Sequence, residues 1–412
     1  MNSFQMRKTD SLQHWSAWAA AVLVSLLNIA TAWADRWEFS EPIEIARQQE
    51  GVFHHLDSSG RKNISATANG TFIIWEDNSA GNPSIYLLTI GKDEELSTPL
   101  KVSGSGDAYE PTIQQFEAGH IIGWEESEQV WVRWLSGEGL GEPIRLSDQT
   151  AGQVSLTAGN KGEALVVWSE ETAQYNRVMF ATLGINDDRL QVIEERPLDI
   201  QPGEGDQNYP VIAYHEAMNS YVAVWEDRRF KNVMLFSAMG NSENGFSVGM
   251  QVNELLTPLS GLYGVATGVA RASLSGYSDY VAAVWSDKRD FRSGSDVYAA
   301  FARHSGRFGE NRLVQDGFAE GYEQWHPTIA GFGHELAVAW DDDRDGDSDI
   351  WLSYYQDGAW SDDIAVPEAS GLGVQTHPSI AMDSKGGLHI AWIHRDQEGG
   401  TTSIRYIAGR GP

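Results

Sequence analysis

Seven times along the chain an apolar, often β-branched run ends in tryptophan, and that recurrence limits the possible folds more than any other feature. The first copy reads Phe72-Ile73-Ile74-Trp75. Others follow at Ile121 to Trp124, Ala164 to Trp168, Tyr221 to Trp225, Val281 to Trp285, Leu336 to Trp340 and Leu388 to Trp392. Successive tryptophans lie 49, 44, 57, 60, 55 and 52 residues apart. A period of this size marks a solenoid, an array or a propeller, in which each unit buries its apolar face on its neighbours. Period-two alternation and glycine turns outline four strands around each run. A short first strand often opens with proline (Pro111, Pro210, Pro327, Pro378), and the tryptophan run is second. A third follows a polar hairpin, as in Asp349 to Tyr354, and a fourth follows a glycine turn, as in Gly139 to Ile144.

Seven units across residues 35–412 give roughly 54 residues each, a generous four-stranded blade. The two ends of that stretch are complementary. Trp37 to Ile45 reads as a fourth strand with no blade before it, and the last unit stops after a third strand at Ser403 to Ile407. The N-terminal strand is therefore expected to complete the C-terminal blade, closing the ring and removing open sheet edges. The expectation is an all-β, seven-bladed propeller of four-stranded antiparallel blades in a single domain. A six-bladed ring and a pair of β-sandwiches are the alternatives.

Residues 1–34 are read as a secretory signal. Arg7 and Lys8 precede an apolar run from Ala17 to Ala30, and Ala32-Trp33-Ala34 presents small residues at the two positions a signal peptidase reads. The run is shorter than the ~20 residues that a membrane span needs, so no stable membrane anchor is expected, an N-terminal anchor being the alternative. The chain would then work in the periplasm or outside the cell, expected as a monomer. Its formal charge is −29, and loss of the signal would leave 27 basic against 57 acidic residues. Such a surface repels nucleic acid and anionic membranes. The chain has no cysteine, which excludes disulfides, thiolate metal centres and a cysteine nucleophile.

The hairpin after the tryptophan carries a second motif: Trp225-Glu226-Asp227-Arg228-Arg229, Trp285-Ser286-Asp287-Lys288-Arg289 and Trp340-Asp341-Asp342-Asp343-Arg344, the last continuing through Gly346 to Asp349-Ile350-Trp351. This W-x-D-x-R-x-G-x-x-D-[IV]-[WY] pattern resembles the β-propeller repeat of many exported bacterial and archaeal proteins, related at fold level to sialidase-like and TolB-like propellers. The resemblance implies the fold and leaves open whether the chain is a lectin, an enzyme or an interaction platform. The F-R-I-P stretch of sialidases is missing, and the turns Gln356 to Trp360 and Gly306 to Gly309 are at best degraded sialidase boxes.

Several residues are candidates for chemistry. The aspartate and arginine of each D-x-R are spaced for a bidentate clip across a tight hairpin; alternatively Arg229, Arg289 and Arg344 form an arc that binds a carboxylate. Asp341, Asp343, Asp345, Asp347 and Asp349, with Gly346 at the turn, resemble a calcium loop of alternating oxygen ligands; no cofactor is expected, Ca²⁺ at this loop being the alternative. The residue before each inner-strand proline should face the mouth of the central channel: Glu110, Tyr209, His326 and His377, joined by Trp325. The connections from Arg47 to Lys62, with His54, His55 and Arg61, and from Leu255 to Thr267 should reach the same face. Such a funnel could bind a glycan, peptide or protein. Alternatively it belongs to a sialidase-like hydrolase or a polysaccharide lyase, with His326 and His377 as general base or metal ligands, Tyr209 as proton donor and Arg289 beside them.

Overall fold

The computed structural model describes residues 36–56, 60–160, 162–230, 232–254, 268–289, 294–397 and 399–411. Residues 1–34, read above as a signal, and the connection from Leu255 to Thr267 therefore lie outside the described residues. Seven antiparallel sheets form a ring. Blade 2 shows the plan: an inner strand Ala108–Phe116, the tryptophan strand Gly119–Glu126, a third strand Gln129–Ser136, and short outer strands Gly139–Leu140 and Ile144–Arg145. Among the described residues the only helical elements are two 3₁₀ turns, Glu216–Met218 and Gly317–Ala319.

The ring closes as the chain ends suggest. Glu38–Phe39 and Ile43–Ala46 both pair antiparallel with Thr402–Arg410, so the N-terminal segment supplies the outer strand of blade 7. Blade 1 is the exception to the proline rule. Its inner edge is built from Ile64–Thr67 and a separate piece, His54–His55, both paired with Gly70–Asp77.

Each interface between neighbouring blades has its own apolar core, seven in all among the described residues. Every repeated tryptophan enters the core shared with the blade before it: Trp168 packs with Phe116, Val132 and Trp134 of blade 2, and Trp340 with Val284 and Val297 of blade 5. All seven are 0–2% exposed. Truncating one to alanine would cost about 3–5 kcal/mol.

A buried indole N–H needs an acceptor, and the chain supplies it two residues later. Trp75, Trp225, Trp285 and Trp340 donate to Asp77, Asp227, Asp287 and Asp342 at 2.8–3.1 Å. Trp124 and Trp168 donate to Glu126 and Glu170. In blade 7 that position is His394, and Gln375 accepts from Trp392 instead. The aspartate of the repeat is thus first an acceptor for the core.

Candidate functional site

Six of the seven inner strands break register at the same place. The shift falls between Tyr109 and Thr112, Gly152 and Ser155, Asn208 and Val211, Ala270 and Ser273, Trp325 and Thr328, and Thr376 and Ser379. One residue in each bulge adopts a left-handed backbone: Glu110, Gln153, Tyr209, Arg271, His326 and His377, with φ from 46° to 61°. None is glycine, so each pays about 1–2 kcal/mol. Bulges re-aim side chains, and strain of this kind collects at functional sites. Glu110, Tyr209, His326 and His377 fall where the prolines placed them. Gln153 and Arg271 escape that reading because Val154 and Ala272 follow them.

Five of the six strained positions are held by the neighbouring blade. In four blades the acid after the tryptophan reaches across to the backbone N–H of the next blade's bulge: Glu76 to Glu110 (3.4 Å), Glu125 to Gln153, Glu226 to Arg271 (2.8 Å) and Asp341 to His377 (3.3 Å). Where Ser169 replaces the acid, the Gln153 side chain takes over and accepts from Tyr209 N–H at 2.6 Å. Burial raises the carboxyl pKa of Glu226, against the pull of the Arg271 N–H and charge.

Four of the bulge residues, Glu110, Arg271, His326 and His377, line a cavity of about 500 Å³, together with His55 and Trp325 among others. His326 and His377 stack with ring centroids 3.9 Å apart, and His55 packs edge-on against His377 at 5.2 Å. Asp341 accepts from His326 Nδ1 at 2.9 Å. On the other side the Arg271 guanidinium lies 4.3 Å above the Tyr209 ring and donates to its hydroxyl at 3.2 Å. Tyr209 thus reaches the site through Arg271.

The chain entering blade 1 runs beneath this cavity. A side chain at Gly60 (φ +90°) would collide with Val211 and with the Ala272 carbonyl, so the segment passes against the inner strands of blades 4 and 5. Arg61, only 2% exposed, follows it, with Nη2 3.0 Å from Glu110 and 3.8 Å from Glu125. His54 turns away and bonds Thr402 in blade 7, and burial lowers its pKa.

The repeat arginines are not brought to the funnel. Arg229 grips Asp227 with two bonds, from Nε (2.8 Å) and Nη2 (2.7 Å). Arg289 and Arg344 each place one amino group 2.6 Å from Asp287 and Asp342 and share it with Asn311 and Asp363 respectively, so only Arg229 forms the full bidentate clip. Each guanidinium also covers an aromatic ring of the third strand, Phe236, Tyr298 or Trp351, at 3.8–4.1 Å. Blade 1 has no arginine here; Ser79 bonds Asp77 through both N–H and hydroxyl.

The aspartate-rich loop is divided among separate tasks. Asp341 faces His326, Asp343 accepts from Glu323 N–H (2.9 Å), and Asp349 accepts from Gly371 N–H (2.9 Å). Burial, reinforced by Asp345, Asp347 and Asp342, pushes the Asp349 carboxyl up to about 6. Among the described residues no three carboxylates or imidazoles are arranged to hold a metal ion. The calcium reading therefore rests on the sequence pattern alone.

No protein-family model matches the chain, and no curated protein matches it in sequence. Solved structures do match. A protein of unknown function from Dyadobacter fermentans DSM 18053 superposes with a TM-score of 0.51 at 10% identity, over 92% of this chain and 100% of that one. A catalytically inactive virginiamycin B lyase from Staphylococcus aureus, with quinupristin, gives 0.49 at 12% identity, over 90% and 99%. An ulvan lyase, a polysaccharide lyase, gives 0.49 at 6% identity, over 69% and 80%. The first likeness is one of fold, and it agrees with the ring of seven sheets.

Proposed function

We propose that the chain is an exported propeller whose funnel binds a glycan, by stacking on Trp325, by hydrogen bonds with His326, His377 and Arg271, and by donation from a glycan hydroxyl to Glu110. One observation carries this reading. Trp325 is 39% exposed at the mouth of a cavity of about 500 Å³ whose other walls are largely polar. An apolar platform with a few convergent polar groups is the usual make-up of a small-ligand site. The backbone that aims His326, His377, Arg271 and Glu110 is left-handed at each of them, a strain that collects at functional sites. Export belongs to the proposal on the strength of residues 1–34, and no helix among the described residues is long and apolar enough to cross a membrane.

A second reading is an enzyme acting on the same class of ligand. It is favoured by the Asp341–His326 hydrogen bond, since a carboxylate behind an imidazole raises its basicity and fixes its tautomer. A glycan array run beside a polysaccharide-depolymerisation screen separates the two, with wild type compared to a His326→Ala, His377→Ala double variant. The binding reading expects saturable retention of a glycan class, no product, and loss of retention in the variant. Product formed by wild type and not by the variant would favour the enzyme. Silence in both assays would contradict both readings.

A further inference from the structure

The opposite face of the ring holds a larger cavity, about 690 Å³, at the seam where blade 7 meets blade 1. Its floor is a polar network. His389 Nδ1 lies 2.6 Å from the Tyr406 hydroxyl and 3.1 Å from Thr71 Oγ1, while Nε2 lies 3.4 Å from Asp383. Burial lowers the His389 pKa and raises that of Tyr406 to about 12, so the cluster is neutral apart from Asp383. With Nε2–H directed at Asp383, Nδ1 accepts from the hydroxyls.

The neighbouring seam shows what this position holds when it only packs. His389 stands three residues before Trp392, and Phe72 stands three before Trp75; Thr71 and His120 each stand four before their tryptophans. Between blades 1 and 2 the contact is Phe72 against the ring of His120, centroids 4.0 Å apart. Between blades 7 and 1 the same junction is a hydrogen-bonded histidine beneath an open cavity. Polar groups at a packing position cost desolvation unless they are satisfied, and here they also line a space large enough for a small solute.

The rim adds charge of the unexpected sign. Lys92, Lys385 and Arg410 come from three separate segments to one cavity, in a chain with twice as many acids as bases. None of the three makes an ion pair within 4 Å among the described residues, whereas Asp383 is occupied in capping its own turn, accepting from Lys385 and Gly387 N–H. Glu94 is the other acid on the wall.

We infer that this seam cavity is a second ligand site, distinct from the funnel, that takes a small solute bearing a carboxylate or sulfate group. Lys92, Lys385 and Arg410 meet the oxyanion, and Thr71, Tyr406 and His389 meet hydroxyls deeper in. Calorimetric titration of the full chain at low salt with sodium glucuronate, sodium sulfate and, as a neutral control, glucose tests the inference. Saturable binding of either anion, weakened at least tenfold in a Lys92→Glu, Lys385→Glu variant and unchanged in Trp325→Ala, is the expected result. Glucuronate bound without sulfate would specify a sugar acid; sulfate bound as well would specify the oxyanion as the recognised group. The inference is overturned if neither anion binds, if glucose binds equally well, if charge reversal has no effect, or if the loss follows Trp325→Ala. Both lysines are exposed, so the variant keeps its fold. A His389→Phe variant, which removes a partner for the deeper hydroxyls and leaves the rim cations in place, is expected to weaken glucuronate at least tenfold and to leave sulfate unchanged.

Discussion

Arg344 sits over the Trp351 ring with three carboxylates around it: Asp342 at 2.6 Å, Asp363 at 2.8 Å and Asp316 at 3.8 Å. Burial pushes the Asp363 carboxyl up to about 7 even with the guanidinium beside it. Arg344→Ala is therefore expected to cost about 3–5 kcal/mol at neutral pH, since it leaves buried charge uncompensated. The cost should shrink as pH falls from 8 to 5. Without the cation the Asp363 carboxyl titrates higher still, so the folded variant binds a proton that the unfolded chain does not. Urea denaturation at the two pH values checks both parts. The bulge residues make the opposite case. His377→Gly removes about 1–2 kcal/mol of left-handed strain and adds roughly 0.5–1 kcal/mol of chain entropy cost. The urea midpoint should hold or rise slightly, while any glycan retained by wild type is lost. The clip residues were legible because W-x-D-x-R repeats. The acid between W and D was not read as a cap, because its partner is a backbone N–H in the next blade.

At the scale of the element, the closing strand joins the two ends of the ring. Removing residues 36–46 exposes Thr402–Arg410 as an open edge and strips Trp37 and Ile45 from the cores on either side of blade 7. Such an edge invites pairing with another chain. Light scattering during a thermal ramp should show the truncated protein aggregating at lower temperature than the full chain; equal behaviour would mean that the strand adds nothing to closure. Four of the six bulges could be found from the prolines that follow them, because proline marks the start of the inner strand. Blade 1 offers no such proline, since its inner edge comes from two pieces; the connection carrying Arg61 was expected on the funnel face, but its ion pairs with Glu110 and Glu125 come from the fold.

At the scale of the whole molecule, seven blades were readable because each interface needs one large aromatic at a fixed strand position, and the sequence repeats what the packing repeats. The funnel was readable only in part, since its members lie on different blades and meet through ring closure. Acid stability is also a property of the whole. Burial lowers the pKa of His120 to about 4, and burial lowers those of His54, His389 and His394 as well. The unfolded chain therefore takes up protons below pH ~6.5 that the folded chain refuses, and stability falls as pH drops from there toward 4. His120 alone accounts for on the order of 3 kcal/mol over that span, so His120→Phe should flatten the pH dependence of the melting temperature. The central claim is that the funnel binds its ligand on an exposed indole held at the channel mouth. Titrating a glycan retained by wild type into Trp325→Ala tests it most directly. Affinity should fall at least tenfold with the melting temperature unchanged, and an unaltered affinity would contradict it.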